Sequence, residues 1–177
     1  MPTPITHAMA GLGVAHLCAP RPASWAVSST YYLLSLILAV LPDVDFLAFS
    51  AGIPYWHRWG HRGISHSFFM ALVVSLLLAL ATSFLLGVPW WRLWLFLALV
   101  AVSHTLLDAM TDGGLGVAWL SPFSEHRYFL PFRPIRVSPV GWAAFSARGW
   151  EALVSEFFWV WIPLVTAVVM YHFRRWF

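Results

Sequence analysis

The chain has 177 residues, 60% of them hydrophobic and 10% charged, with a mean hydropathy of +0.75. Soluble domains carry about 25% charged residues, so this composition excludes an ordinary soluble protein and points to one membrane-embedded helical domain over residues 1–177. The formal charge of +3 rests on scattered arginines with no lysine, which does not suggest a nucleic-acid partner, and none is expected. The single cysteine, Cys18, excludes a disulfide framework and a cysteine zinc site and reads as core packing.

Taken in chain order, the N-terminal stretch lacks the basic start and small-residue cleavage pattern of a signal peptide and reads as a short apolar helix over about residues 5–18. "APRPAS" breaks it and offers Ser24 as the next cap. A second short helix follows over about 30–41, stopped or kinked by Pro42. Both are shorter than the roughly 20 residues of a full span. Residues 64–87 and 92–111 are each long enough to span, and "GVPWW" between them predicts an antiparallel hairpin. Residues 113–149, rich in Gly, Pro, Arg and aromatics, form an extended non-membrane stretch before a last span over about 151–173. Trp90, Trp91, Trp94, Trp159, Trp161 and Trp176 fall near span ends, as interfacial aromatics do. The fold class is therefore all-α: a multispanning bundle of about five helices with a Pro/Arg-rich loop.

The polar residues are not spread evenly. Asp43 and Asp45 lie in "LPDVD", His61 and His66 in "HRGISHS", and His104, Asp108 and Asp112 in "SHTLLDAMTD". If consecutive helices alternate in direction, the start of the first, the end of the second, the start of the third and the end of the fourth share one face. His7, Asp43 with Asp45, His61 with His66, and His104 with Asp108 occupy those positions. His104 and Asp108, spaced i, i+4, project from one helical face. Ionisable groups close to a bilayer are costly and usually mark function.

Histidine with aspartate suits zinc, with manganese or iron as alternatives, rather than calcium. The number of candidate ligands favours one or two ions, Asp43 or Asp45 bridging, able to activate water against a phosphoester or acyl substrate. Taken singly, "LPDVD" could be a helix stop and His104–Asp108 an interhelical hydrogen bond; the joint pattern decides for a metal site. His16, His57, His126 and His172 read as packing residues, and Ser65 and Thr111 as supports or helix-end caps.

The blocks "TH", "LPDVD", "HRGISHS", "SHTLLDAMTDGG" and "LSPFSEHRYFLPF", in this order, resemble the YdjM-like membrane-bound predicted metal-dependent hydrolases, also described as LexA-binding inner-membrane-associated hydrolases. The match runs from His7 to about Pro134 and leaves out the last span. The resemblance implies a multi-pass inner-membrane protein with metal ligands His7, Asp43, Asp45, His61, His66, His104 and Asp108. Arg62 and Arg127 are its anion-binding candidates. The series His, Asp, His, then HxxxD is also similar to zinc-dependent phospholipase C. The later HxxxE of those enzymes is missing, so two metals rather than three are expected.

The functional expectation is a hydrolase of a lipid-like or phosphorylated substrate. In it Asp45 or Asp108 acts as base, Arg62 binds and neutralises developing charge, Arg127 binds substrate, and membrane lipids are the surroundings. The alternative is a non-catalytic metal-binding or regulatory module; a transporter is disfavoured by small size and a site at the bundle end. The face opposite the site carries Arg21, Arg92, Arg174 and Arg175 in short segments and the site face carries six arginines in longer loops. Raw counting favours a cytoplasmic site, but several of those six can serve the site itself, so the site is expected on the extracytoplasmic side.

Overall fold

Thr3 and Pro4 start the first helix where their chemistry suits it. The Thr3 hydroxyl accepts the Thr6 amide hydrogen, and proline in the first turn forgoes a hydrogen bond the helix does not need, giving α1 (Pro4–Cys18). The computed structural model describes residues 1–20 and 24–174. Arg21, Arg175 and Trp176, assigned above to the far face and its aromatic belt, lie outside the described residues.

Ser24 caps α2 (Trp25–Val40), so this helix begins earlier than its apolar run suggests. Pro42 does not stop it. The chain tightens into a 3-10 segment, Leu41–Phe46, with proline in the first turn, and runs on through α3 (Leu47–Ser50). The continuous Trp25–Ser50 stretch of 26 residues is long enough to cross a membrane, which corrects the expectation of a short second helix. Ser67 caps α4 (Phe68–Leu86), and Gly87 ends it with φ at 62°, a left-handed turn that favours glycine. Pro89 then starts α5 (Trp90–Ala109), and α4 and α5 pack as the expected hairpin.

The last helix begins at Ala147, earlier than expected. Its first part, α6 (Ala147–Glu156), passes through a π-helical turn, Phe157–Trp161, into α7 (Ile162–Phe173). The wider turn sits where Pro163 would otherwise press on the carbonyl four residues earlier. Trp159 and Trp161 therefore lie inside the helix rather than at its end.

Among the described residues, four helices are long and apolar enough to span: Trp25–Ser50, Phe68–Leu86, Trp90–Ala109 and Ala147–Phe173. α1, with 15 residues, is about 22 Å long at 1.5 Å per residue, short of a hydrocarbon core of about 30 Å. α5 is the central element, packed on α1, α2 and α4 around Tyr31, Leu38, Leu93, Phe96, Leu97 and Val100. Leu77, Leu80, Phe84 and Leu85 of α4 point outward, as a lipid-facing surface requires. Cys18 is exposed at the end of α1 rather than packed in the core. No strand forms among the described residues; residues 111–135 close over the helix ends through two isolated bridges, Thr111–Ile135 and Val117–Tyr128.

Because α1 is short, something must hold it. Gly11 lies against Ala39 and Ser35 of α2 so closely that a Cβ would collide with both, the small-residue contact by which membrane helices approach. At its start, buried Glu156 accepts the Thr3 amide (2.6 Å) and the hydroxyls of Thr3 and Thr6. Trp161 Nε1 donates to Thr6 Oγ1 at 2.7 Å. This carboxylate ties α1 to the last helix. Replacing Glu156 with Ala leaves buried donors unsatisfied at roughly 1–3 kcal/mol each. Glu156→Ala is therefore expected to lower the thermal midpoint in detergent clearly more than Glu156→Gln, which keeps an acceptor; an unchanged midpoint for Glu156→Ala would contradict this anchor.

Candidate metal centre

α1 brings His7, the 3-10 segment brings Asp43 and Asp45, the turn before α4 brings His61, Arg62 and His66, and the end of α5 brings His104 and Asp108. These remote segments meet at one end of the bundle, as alternating topology requires. His66 Nε2 lies 3.1 Å from Asp108 Oδ2 and 3.5 Å from Asp43 Oδ1. His104 Nε2 is 3.6 Å from Asp43 Oδ1, and His7 Nε2 is 3.4 Å from Asp108 Oδ1. The rings of His7 and His104 stack at 3.8 Å. His7, His66, His104 and Asp108 are essentially excluded from solvent, and Asp43 is 8% exposed.

The surroundings fix which atoms face inward. His104 Nδ1 donates to the Ala39 carbonyl at 2.7 Å, so its Nε2 lone pair points to the centre. Asp45 Oδ1 accepts from His61 Nδ1 at 2.8 Å. Its Oδ2 accepts the Arg62 amide (3.2 Å) and the Ser65 hydroxyl, and lies 3.1 Å from His66 Nδ1. With His66 Nδ1 held there, its Nε2 turns toward Asp43 and Asp108. Thr105 Oγ1 donates to the His66 carbonyl at 2.7 Å, joining α5 to the turn.

Arg62 takes a left-handed φ of 62°, unusual for a side chain of its size. Such strain, typically about 1–3 kcal/mol, persists where the surroundings dictate it. Here the Arg62 carbonyl accepts from Ala118 N. Its side chain reaches Asp108 Oδ2 (Nε, 3.2 Å), Thr111 Oγ1 (Nη2, 2.9 Å) and the Gly113 carbonyl (Nη1, 3.0 Å). Arg62 is buried in the wall of the site, paired with an aspartate.

Do these residues fit a metal ion? Both oxygens of Asp43, both of Asp108, and the Nε2 atoms of His7, His66 and His104 are buried with no hydrogen-bond partner in the protein. Buried polar atoms are otherwise almost always paired, and these converge with lone pairs turned inward. Asp43, His66, His104 and Asp108 offer ligand atoms within 4.8 Å of one another, and Asp45, His61 and His66 form a second such group. Three carboxylates against one guanidinium leave a negative excess. Burial disfavours charge on His66, but Asp108, Asp43 and Asp45 outweigh it and raise its pKa well above the ordinary histidine value. The donor set fits a divalent cation that accepts nitrogen and oxygen.

The expected ligands all reach this end of the bundle, with differing roles. Asp43, His66, His104 and Asp108 face one centre, with His7 beside them. Asp45, expected as ligand and base, has its oxygens engaged by the donors it orients. Arg127, expected to bind substrate, instead donates to the carbonyls of His61, Gly116, Tyr55 and His57 at 3.1–3.4 Å, clamping the loops. Asp112 lies outside the cluster, where its side chain accepts the Val137 amide. His16 pairs with His172 at the other end of the bundle, His57 accepts the Trp59 amide, and His126 packs on Tyr128. Thr105 and Glu156 were missed. Each carries a signal, a hydroxyl on the His104–Asp108 face and an acid inside an apolar span. The Ala39 carbonyl carries none, since any residue has one.

The model of the YdjM inner membrane protein family matches residues 1–176, so the likeness extends through the last span, beyond the limit expected from the motifs. The chain is 38% identical over 185 residues to "Inner membrane protein YbcI" of Escherichia coli (strain K12), covering 99% of both sequences. No solved structure matches. With a helical fold, four candidate spans and both comparisons in agreement, the chain belongs to the YdjM family of inner membrane proteins.

Proposed function

We propose that this protein is a membrane-embedded, metal-dependent hydrolase that cleaves an ester or phosphoester bond of a lipid-like substrate, with zinc as the preferred ion and manganese or iron as alternatives. The observation that carries the reading is the set of buried, unpartnered His and Asp atoms turned toward one centre. His7, His66, His104, Asp43 and Asp108 would hold the ion, which supplies Lewis acidity to activate water and to stabilise developing oxyanion charge. Asp45 holds His61 and His66 in the required orientation, and Arg62 offsets the charge of Asp108. Asp43, the ligand that retains some exposure, is placed to accept a proton from attacking water on a carboxylate oxygen.

A second reading has a specific observation in its favour. Five donors, four of them essentially excluded from solvent, could saturate an ion and leave no open position, as in structural sites. The protein would then be a non-catalytic metal-binding module. Exchangeable water on the bound ion, read by electron–nuclear relaxation after manganese substitution, separates the two.

Elemental analysis of detergent-purified wild-type protein is expected to give at least one equivalent of metal, lost in His104→Ala and Asp108→Asn. Asp45→Asn, acting through the histidines it orients, is expected to weaken affinity by roughly 10–100-fold without abolishing it. A folded wild type that takes up no metal on reconstitution would contradict the reading.

We also place the site on the extracytoplasmic side. Positive side chains favour the cytoplasmic face, yet four of the six site-face arginines are engaged within the protein: Arg62 with Asp108 and Arg127 with carbonyls in the interior, Arg58 with Glu125 and Arg136 with Glu151 at the surface. In a Cys18→Ser background, Ser124→Cys is expected to react with an impermeant maleimide from the periplasmic side. Labelling only from the cytoplasm would reverse the orientation.

A further inference from the structure

A groove of about 700 Å³ runs along the site end of the bundle, between the start of α1, the 3-10 segment that follows α2, residues 138–145 and α6. Its walls are apolar, with Ile5, Val44, Phe46, Phe145 and Leu153 prominent, and Asp43 is the one lining residue whose side chain carries charge. We propose that this groove seats the hydrocarbon chain of an amphiphile whose polar head is delivered to Asp43. The inference rests on reading the metal centre as one that acts on a ligand, and it adds where that ligand lies and what selects it.

Three observations converge on this occupant. First, the groove reaches the cluster at Asp43, the most exposed of the inward-facing donors, whose oxygens have no partner in the protein. A second cleft touches His66 between α2, α4 and α5, but at about 130 Å³ it is several-fold smaller. Second, 700 Å³ lies within the range of ligand pockets, about 300–1,000 Å³, and no cationic side chain lines it. Its largely apolar walls therefore read the chain, and recognition of an anionic head falls to the ion together with the Met1 amino group, which also lines this end. Third, Trp142 and Phe145, 89% and 85% exposed, and Trp150 of α6 project around this end. Exposed aromatics of that kind mark the boundary between headgroups and hydrocarbon, which is where an amphiphile presents its head.

The test uses metal-loaded full-length protein in lipid nanodiscs and a diazirine-bearing hexadecyl phosphate as the probe, with adducts located by mass spectrometry. Adducts are expected to concentrate at the groove and to fall by roughly tenfold in Ala144→Trp and Leu153→Trp, both of which fill it, with metal content unchanged. Lipid-facing Leu77, Leu80 and Phe84 of α4 serve as the bulk-lipid control. Equal labelling of groove and control positions, or labelling insensitive to both tryptophans, would overturn the proposal. Turnover of p-nitrophenyl palmitate and of p-nitrophenyl hexadecyl phosphate on the same samples separates carboxyl-ester from phosphoester chemistry. Groove labelling that responds to both tryptophans, in protein that holds metal but hydrolyses neither probe, supports the seat while removing the hydrolase reading. Absence of bound metal would overturn both the hydrolase reading and the delivery of an anionic head to Asp43, whereas the adduct map reports separately on the seating of the chain.

Discussion

The constraint on which the structure depends is negative charge held away from water. Asp43, Asp45 and Asp108 lie together at the end of a membrane bundle, and Arg62 is the guanidinium among them. Ionised groups removed from water are strongly unfavourable unless paired and hydrogen-bonded. Asp45 meets that condition with protein donors and Asp108 meets it in part through Arg62, while Asp43 has no hydrogen-bond donor in the protein. The proposed cation would supply what remains. Much of the chain outside the spans can be understood as the wall this requires. The 51–63 turn carries Arg62 in a strained backbone conformation, and residues 111–135 fold back over the helix ends with Arg127 clamping the two loops together.

Packing converts that local chemistry into a demand on the whole bundle. His104 is oriented by a carbonyl of α2, so the α2–α5 contact sets which nitrogen faces inward. His7 rides on α1, a helix too short to take its depth from the bilayer. Its position comes instead from the close Gly11 contact with α2 and from Glu156 on the last helix. Glu156 is a buried acid at a π-helical turn, and both features are uncommon in a span. The arrangement explains why a helix that brings no residue to the His/Asp cluster nonetheless bears on it.

The helices were legible because long apolar runs and capping residues are local signals: Ser24, Ser67 and Gly87 act where the sequence places them. Convergence of His7, Asp43, His66, His104 and Asp108 was legible too, since alternating direction follows from span count and hairpin length. Pro42 misled because its effect depends on whether a helix must keep α geometry, and the change to a 3-10 turn absorbs it. The distinction between Asp43, which faces the centre, and Asp45, which orients its neighbours, was not legible. Two aspartates two residues apart in "LPDVD" are separated only by the donors that the Arg62–His66 turn presents to one of them. Arg127 was misread for a related reason, as its partners are backbone carbonyls that leave no mark on composition. Cys18 lies at a helix end that the apolar pattern alone made look like core.

The central claim is that histidine nitrogens and aspartate oxygens from four segments bind one kind of site. X-ray absorption at the metal edge of purified, metal-loaded protein tests it most directly. For zinc the account predicts nitrogen and oxygen scatterers at about 2.0–2.1 Å with the outer-ring signature of more than one imidazole, and loss of that signature in His104→Ala. A first shell containing sulfur, which only Cys18 or a methionine could supply, or one without imidazole, would contradict it.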